Sequence, residues 1–276
     1  MNNTISKLIF RLWPFSFGHV SLMELLNPSD LKEQTVTSKL RGYPVSIQYN
    51  PNSYIGKYIY YRGVFEESIV NKMAEVLKPG MTFVDIGANI GQHTLIAASI
   101  VGAEGKVISF EPQELCRKTI NNNLALNNFQ NVTLIGCALG ESEKEGKIYH
   151  VNNSNDGQAT LTPDKESDSF EDIEIRTFTK VMNEMSVSNV DVIKIDIEGA
   201  ELQMLKGGEE FIDMVKPKVI FIECVEEHLN RFGASSVDLM QWFKDKGYMI
   251  NYLSKGGWSE IQPGVKMNGD LMMTLN

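Results

Sequence analysis

The spacing of apolar positions changes character several times along the chain. Leu8-Ile9-Phe10-Arg11-Leu12-Trp13-Pro14-Phe15 is an apolar cluster too short to cross a bilayer. No small-residue cleavage site of the A-x-A kind follows it, so it reads as a helix packing over its own domain rather than a secretory leader. Val36–Leu40 and Pro44–Tyr49 are short β-branched runs split by Arg41-Gly42, the pattern of a hairpin. The run holding Tyr58, Tyr60 and Tyr61 has a strand-like look. Glu66–Leu77 carries Ile69, Val70, Met73, Val76 and Leu77 at helical spacing and stops at Lys78-Pro79-Gly80.

From Met81 short apolar strands alternate with helical stretches. Thr82–Asp85 runs into a glycine-rich turn, followed by a helix from His93 to Val101. Gly105–Glu111 is a second strand, Glu114–Asn127 a second helix and Asn131–Ile135 a third strand. Later come the strand Val190–Asp196, a helix over Ala200–Val215 and the strand Pro217–Glu223. A helix over Ser236–Lys246 precedes the runs Tyr248–Leu253 and Asp270–Leu275, with Gly256-Gly257 marking an antiparallel closing hairpin. This alternation predicts βαβ units, a parallel sheet and an α/β fold. It divides the chain into an N-terminal extension (1–78), suited to lid, oligomer or substrate contacts, and a main domain (79–276).

Gly140–Glu174 breaks the pattern. From Asn131 to Ile175 there are ten acidic residues against three basic ones, so this stretch reads as a solvated loop able to cover a substrate. The whole chain, 276 residues with formal charge −9, is long enough to bury a full core and lacks the basic surface that tracks nucleic-acid phosphates. Its three cysteines (Cys116, Cys137, Cys224) match no metal or disulfide spacing, which points to a reducing, cytoplasmic setting.

The strongest chemical signal is Asp85-Ile-Gly87-Ala-Asn89-Ile-Gly91, between a strand and a helix. Glycines there let backbone approach a ligand closely. Asn89 occupies the position of the middle glycine in a dinucleotide fingerprint, which disfavours a nicotinamide cofactor. Glu111 ends the next strand 24 residues after Gly87, fixed by Pro112, where a carboxylate accepts both hydroxyls of a ribose. Together these predict a nucleoside site.

Three runs carry a resemblance: Phe83–Gly91, Phe110-Glu111-Pro112, and Ile193-Lys194-Ile-Asp196-Ile-Glu198-Gly199-Ala-Glu201. They resemble the FkbM family of S-adenosylmethionine-dependent O-methyltransferases, and Gly63-Val-Phe-Glu66 is similar to that family's GxxE element. The resemblance implies a class I methyltransferase fold, Rossmann-like, with a mostly parallel seven-stranded sheet whose last strand is antiparallel. It implies methyl transfer to a hydroxyl of a sugar, polyketide or other small natural product. By the same resemblance Gly87, Asn89 and Gly91 line the methionine part of the cofactor, and Asp85 senses its amino group. Glu66 and Asp196 belong to the same binding set, Glu111 and Pro112 hold the ribose, and Ala138 or the Asp156-Gly157-Gln158 loop meets the adenine. Tyr60 and Arg62 come within reach of the carboxylate.

On the acceptor side, Lys194 and Asp196 are two apart on one strand and share a face. Glu198, Glu201, Glu223 and His228 follow near the carboxyl ends of strands, where open α/β sheets bind ligands. A hydroxyl attacking a sulfonium methyl must lose its proton. His228 is the first candidate base, Asp196 the second, and a divalent metal on Asp196, Glu198 or Glu223 the third, less favoured route. The bland alternatives are a structural Lys194–Asp196 ion pair and a Glu201 that merely favours a helix start. The rival functions are a ribose methyltransferase acting on nucleic acid and a non-enzymatic nucleoside-binding protein. A homodimer built on the apolar N-terminus is a further expectation.

Overall fold

The computed structural model describes residues 35–151, 159–161, 167–254, 257–262, 264 and 266–275. The Leu8–Phe15 cluster and Asp156-Gly157-Gln158 lie outside the described residues. The first β-branched runs form the expected hairpin, β1 (Val36–Lys39) antiparallel to β2 (Ser46–Tyr49). The tyrosine run that follows is a helix, α1 (Tyr54–Arg62), and not a strand. The Ser53 hydroxyl oxygen accepts the Gly56 N–H at 2.7 Å and Gly63 closes the far end in a left-handed conformation, so local capping overrides the β propensity of the tyrosines. Helix α2 (Glu67–Val76) keeps the predicted period and buries Ile69, Val70 and Met73.

The chain then alternates through β3 (Thr82–Ile86), α3 (Gln92–Val101), β4 (Lys106–Phe110), α4 (Glu114–Leu126) and β5 (Val132–Ile135). The short strand β6 (Ala138–Leu139) leads into β7 (Lys144–Val151), β8 (Ala159–Thr160) and β9 (Ser167–Arg176). After these come α5 (Phe178–Glu184), β10 (Val192–Ile195), α6 (Glu201–Gly207), α7 (Glu209–Val215) and β11 (Val219–Val225). The last elements are α8 (Glu226–Arg231), α9 (Ser236–Asp245), β12 (Met249–Ser254), β13 (Gly257–Ile261) and β14 (Asn268–Thr274).

The main sheet has the order β13-β12-β14-β11-β10-β3-β4-β5. Strands β5, β4, β3, β10 and β11 are parallel neighbours, and β14 runs antiparallel to both β11 and β12. This is the class I methyltransferase architecture, with β13 added at the edge beside β12. The two closing runs pair antiparallel as β12 and β14, as expected, and β13, from their connection, adds to the outer edge of β12. Strands β3 and β10 are buried along their whole length, as expected for central parallel strands covered on both faces. One face packs under Phe178, Leu205, Phe211 and Phe243, the other under Ile69, Met73 and Ala98. Residues 35–78 share these cores: Ile47, Tyr61 and Val70 pack with Leu95 and Ile96 of α3.

Two further expectations change. The helix read over Ala200–Val215 is two helices broken at Gly208, whose backbone lies against Phe178. Where it is described, the acidic stretch is paired strand: β7 and β9 run antiparallel over most of their length. Ile148, Ile173 and Ile175 bury one face, while Glu145, Lys147, Asp172 and Glu174 point to solvent. Lys147 stands opposite Asp172 and over the Phe170 ring at 3.5 Å. Its charges are the wet side of a two-period pattern.

Candidate functional site

A cavity of about 450 Å³ opens at the carboxyl ends of β3, β4, β10 and β11. That volume suits a small ligand, and the place is where such sheets bind one. Its first wall is the glycine-rich turn after β3. Gly87 has φ +83°, and a Cβ there would overlap the Asp196 carbonyl oxygen. Only glycine lets this turn seat directly on the end of β10. The Gly87 and Ala88 N–H groups both donate to the Phe110 carbonyl at 3.0 Å, and the Gly91 N–H donates to the Ala88 carbonyl at 2.8 Å. The Asn89 N–H donates to Glu111 Oε2 at 2.8 Å. These amides are spent inside the protein, so the turn does not cradle a pyrophosphate, and the dinucleotide reading loses its structural basis.

Glu111 is 3% exposed and lines the cavity. Each of its carboxylate oxygens takes one backbone N–H, Oε2 from Asn89 and Oε1 from Gln113 at 2.9 Å. A carboxylate oxygen has a second acceptor position, so both remain able to receive a hydroxyl. Burial pushes the Glu111 carboxyl up to about 7, against the two backbone hydrogen bonds and the Arg117 charge, which pull it down. Arg117 donates to the Glu111 carbonyl at 3.1 Å and to the Pro112 carbonyl, fixing the strand end. Cys137, Ala138, Ile148 and Leu161 give the same end an apolar wall. The fit to a nucleoside is direct: a paired acceptor for a diol beside an apolar slot for a base.

At the other end Lys194 is 5% exposed and donates to Asp196 Oδ2 at 2.8 Å. Its ammonium lies 3.9 Å from Glu66 Oε2. Burial alone would lower the Lys194 pKa, but Asp196, Glu66 and Asp85 together outweigh it and hold the ammonium above its ordinary value. Glu66 sits in a left-handed conformation (φ 48°) just before α2, 3.3 Å from the buried His93 Nε2. Burial raises Glu66 to about 8, with Lys194 pulling the other way. His93 is held well below its ordinary value by burial and the Lys194 charge, so it is a neutral imidazole.

Glu198, Glu223 and His228 meet on the rim. His228 Nδ1 is 3.1 Å from Glu198 Oε2 and 3.8 Å from Glu223 Oε2. The Glu223 hydrogen bond and the Glu198 charge raise the His228 pKa against its burial. Burial, with Asp196 and Glu223 adding to it, lifts Glu198 to about 7. Asp270, paired across from Glu223 on β14, is lifted to about 6 by burial. Glu201 has a larger task than favouring a helix start. Its Oε1 accepts the Ile197 and Gly199 N–H groups, each at 3.1 Å, and so braces the turn that carries Glu198.

Glu66, Gly87, Asn89, Glu111, Pro112, Ala138, Lys194, Asp196, Glu198, Glu223 and His228 thus all reach one cavity. Asp85 and Gly91 do not stand among its lining residues. Asp85 is fully buried below the floor, where its Oδ2 accepts the Thr94 hydroxyl at 2.6 Å. Gly91 opens α3 with φ +88° and packs on Ile120. Tyr60 and Arg62 also stand away: Tyr60 packs edge-on against Tyr61, and Arg62 lies 3.3 Å from Glu67. Tyr54 and Phe65, which the sequence reading did not single out, line the cavity instead. His93 and Gln92 were missed by the sequence reading. Gln92 accepts the Phe65 N–H at 2.7 Å and donates to its carbonyl at 2.9 Å, docking the Glu66 segment on the glycine turn. No local pattern announces a contact across 27 residues.

A family model described as the methyltransferase FkbM domain matches residues 85–250. The methyltransferase SdnD of Sordaria araneosa is 28% identical over half of this chain and 64% of its own length. The AMB antimetabolite synthetase AmbE of Pseudomonas aeruginosa is 25% identical over 64% of this chain and 10% of its own. Among solved structures, the FkbM methyltransferase of Methylobacillus flagellatus matches with a TM-score of 0.46 and 20% identity, covering 79% of this chain and 52% of that one. The chain spans less than two thirds of each of these relatives.

Proposed function

The chain belongs to the FkbM family of methyltransferases, and from that premise we propose that it transfers a methyl group from S-adenosylmethionine to a hydroxyl of a small molecule. The observation that carries the reading is the single cavity joining Glu111 at one end to Asp196 at the other. Glu111 receives the ribose hydroxyls, and the wall of Cys137, Ala138, Ile148 and Leu161 receives the adenine. When bound, the cofactor supplies an electrophilic methyl on a sulfonium. The carboxylates around Lys194 favour that positive charge in a place shielded from water.

Asp196 is the proton acceptor in this reading. It follows β10 directly, and its carbonyl touches the glycine turn, so it stands where the cofactor and acceptor parts of the cavity meet. Lys194 fixes one carboxylate oxygen and leaves the other for the acceptor hydroxyl. His228, first candidate from sequence, instead turns Nδ1 toward two glutamates. Phe65 and Tyr54 border the acceptor space, and the formal charge of −9 speaks for a small acceptor over nucleic acid.

The test is calorimetric titration with S-adenosylhomocysteine, NAD serving as the control, followed by turnover with hydroxylated acceptors. Asp196→Asn should lower turnover at least about a hundredfold, the usual span of general-base loss, while S-adenosylhomocysteine still binds. Turnover within a factor of three of the parent removes Asp196 from this role. Absence of S-adenosylhomocysteine binding removes the methyl-transfer reading itself.

A further inference from the structure

We propose that Glu198, Glu223 and His228 form a divalent-cation site on the acceptor side of the cavity. The proposal rests on the methyl-transfer reading only for what the ion would do there; the site itself stands on its own geometry. One nitrogen and two carboxylate oxygens from three separate elements lie within 4.8 Å of one another. Ligands about 2.1 Å from a common ion stand about 3.0–3.5 Å apart. Of the His228 Nδ1 distances to the two glutamates, 3.1 Å falls within that spacing and 3.8 Å lies just above it. His228 Nδ1 is shielded from solvent and turned toward both carboxylates. One imidazole nitrogen turned toward two carboxylate oxygens from separate elements is a donor set suited to a divalent ion.

The backbone is built to hold the three residues in register. Gly199 has φ +108°, and a Cβ there would overlap the His228 carbonyl, so the turn carrying Glu198 packs straight onto α8. Glu201 braces the same turn with two hydrogen bonds. Five carboxyl groups, Glu66, Asp196, Glu198, Glu223 and Asp270, gather here against three basic side chains, Lys194, Arg231 and His228, an acidic surplus that suits a dication. One imidazole and two carboxylates suit Mn²⁺ or Zn²⁺ better than an all-oxygen site would. Three protein ligands leave coordination positions open to the cavity, where an acceptor hydroxyl can bind and become more acidic. Asp196 then receives the proton from a hydroxyl already polarised.

Mn²⁺ is the probe, titrated against the full chain by calorimetry and by the resonance signal of the free ion, with Mg²⁺ and Zn²⁺ as competitors. The parent should show one saturable site per chain. Glu223→Gln and His228→Ala should each weaken it by at least about tenfold. Circular dichroism and S-adenosylhomocysteine titration of each variant show that it is folded, and Glu209→Gln, on the far surface, should bind Mn²⁺ like the parent. No saturable Mn²⁺ site in the parent, or parent-like binding in folded Glu223→Gln and His228→Ala, overturns the proposal. S-adenosylhomocysteine binding without a Mn²⁺ site defeats the ion alone. A Mn²⁺ site without S-adenosylhomocysteine binding upholds the ion and defeats the methyl-transfer reading.

Discussion

Replacing Glu111 with alanine removes a cavity-lining carboxylate whose two oxygens are each anchored by a backbone N–H. Two hydrogen bonds from ribose hydroxyls to an ionised carboxylate contribute about 1.5–3 kcal/mol each, so about 3–6 kcal/mol in total. Part of this is offset by ionising the group, which burial holds near 7 in the free protein. At pH 7 the carboxyl is about half protonated, and emptying it costs RT ln 2, about 0.4 kcal/mol. The remaining loss, at least about 2.6 kcal/mol, corresponds to weakening of roughly eightyfold or more in S-adenosylhomocysteine affinity. The sign of the pH dependence follows from the same shift. In the folded protein without cofactor Glu111 keeps its proton up to about pH 7, and a ribose diol would prefer the carboxylate. Parent affinity should therefore rise about tenfold from pH 6 to pH 8 and then level, whereas the alanine variant shows no such rise. Calorimetry at three pH values measures both effects, and thermal unfolding checks the fold. An affinity within threefold of the parent, or the same pH slope in both proteins, would refute the ribose assignment and the charge argument behind it.

Gly87→Ala forces a Cβ at φ +83° into the Asp196 carbonyl; it should destabilise the fold by at least about 2 kcal/mol in urea unfolding and abolish S-adenosylhomocysteine binding. Lys194→Met leaves Asp196, Glu66 and Asp85 without their shared cation and should cost about 3–5 kcal/mol at pH 8. Carboxylates deprived of that cation take up protons in the folded state, so the deficit should shrink as the pH falls toward 5; a deficit equal at both pH values argues against it. Glu201→Ala orphans two buried N–H groups and should cost about 2–4 kcal/mol, while Glu201→Gln keeps an accepting oxygen. Burial raises Glu201 to about 7, so the folded parent loses stability as pH rises toward 7, and the glutamine variant should match or exceed it in thermal unfolding at pH 8.

Much of this protein is written locally. The strand-turn-helix alternation, the glycine turn and the carboxylate at Glu111 are visible because each is a short-range pattern tied to one element. Local signals also misled: capping by Ser53 made a helix of a tyrosine run, and the acidic stretch hid a two-period strand pair behind its charge. What the sequence could not show is which side chains end up sharing a space. Gln92 clamps Phe65, Lys194 gathers carboxylates from three segments, and Gly199 brings Glu198 onto the backbone of His228. Asp85, which the motif put on the ligand, is turned under the floor to Thr94. The sequence by itself determined most of the strand-helix alternation, its order and the Glu111 end of the cavity, because hydrogen bonding and period act over a few residues. The tertiary structure alone decided the Lys194–His228 end, because burial and charge balance there are set by groups far apart in the chain that meet only when the sheet closes.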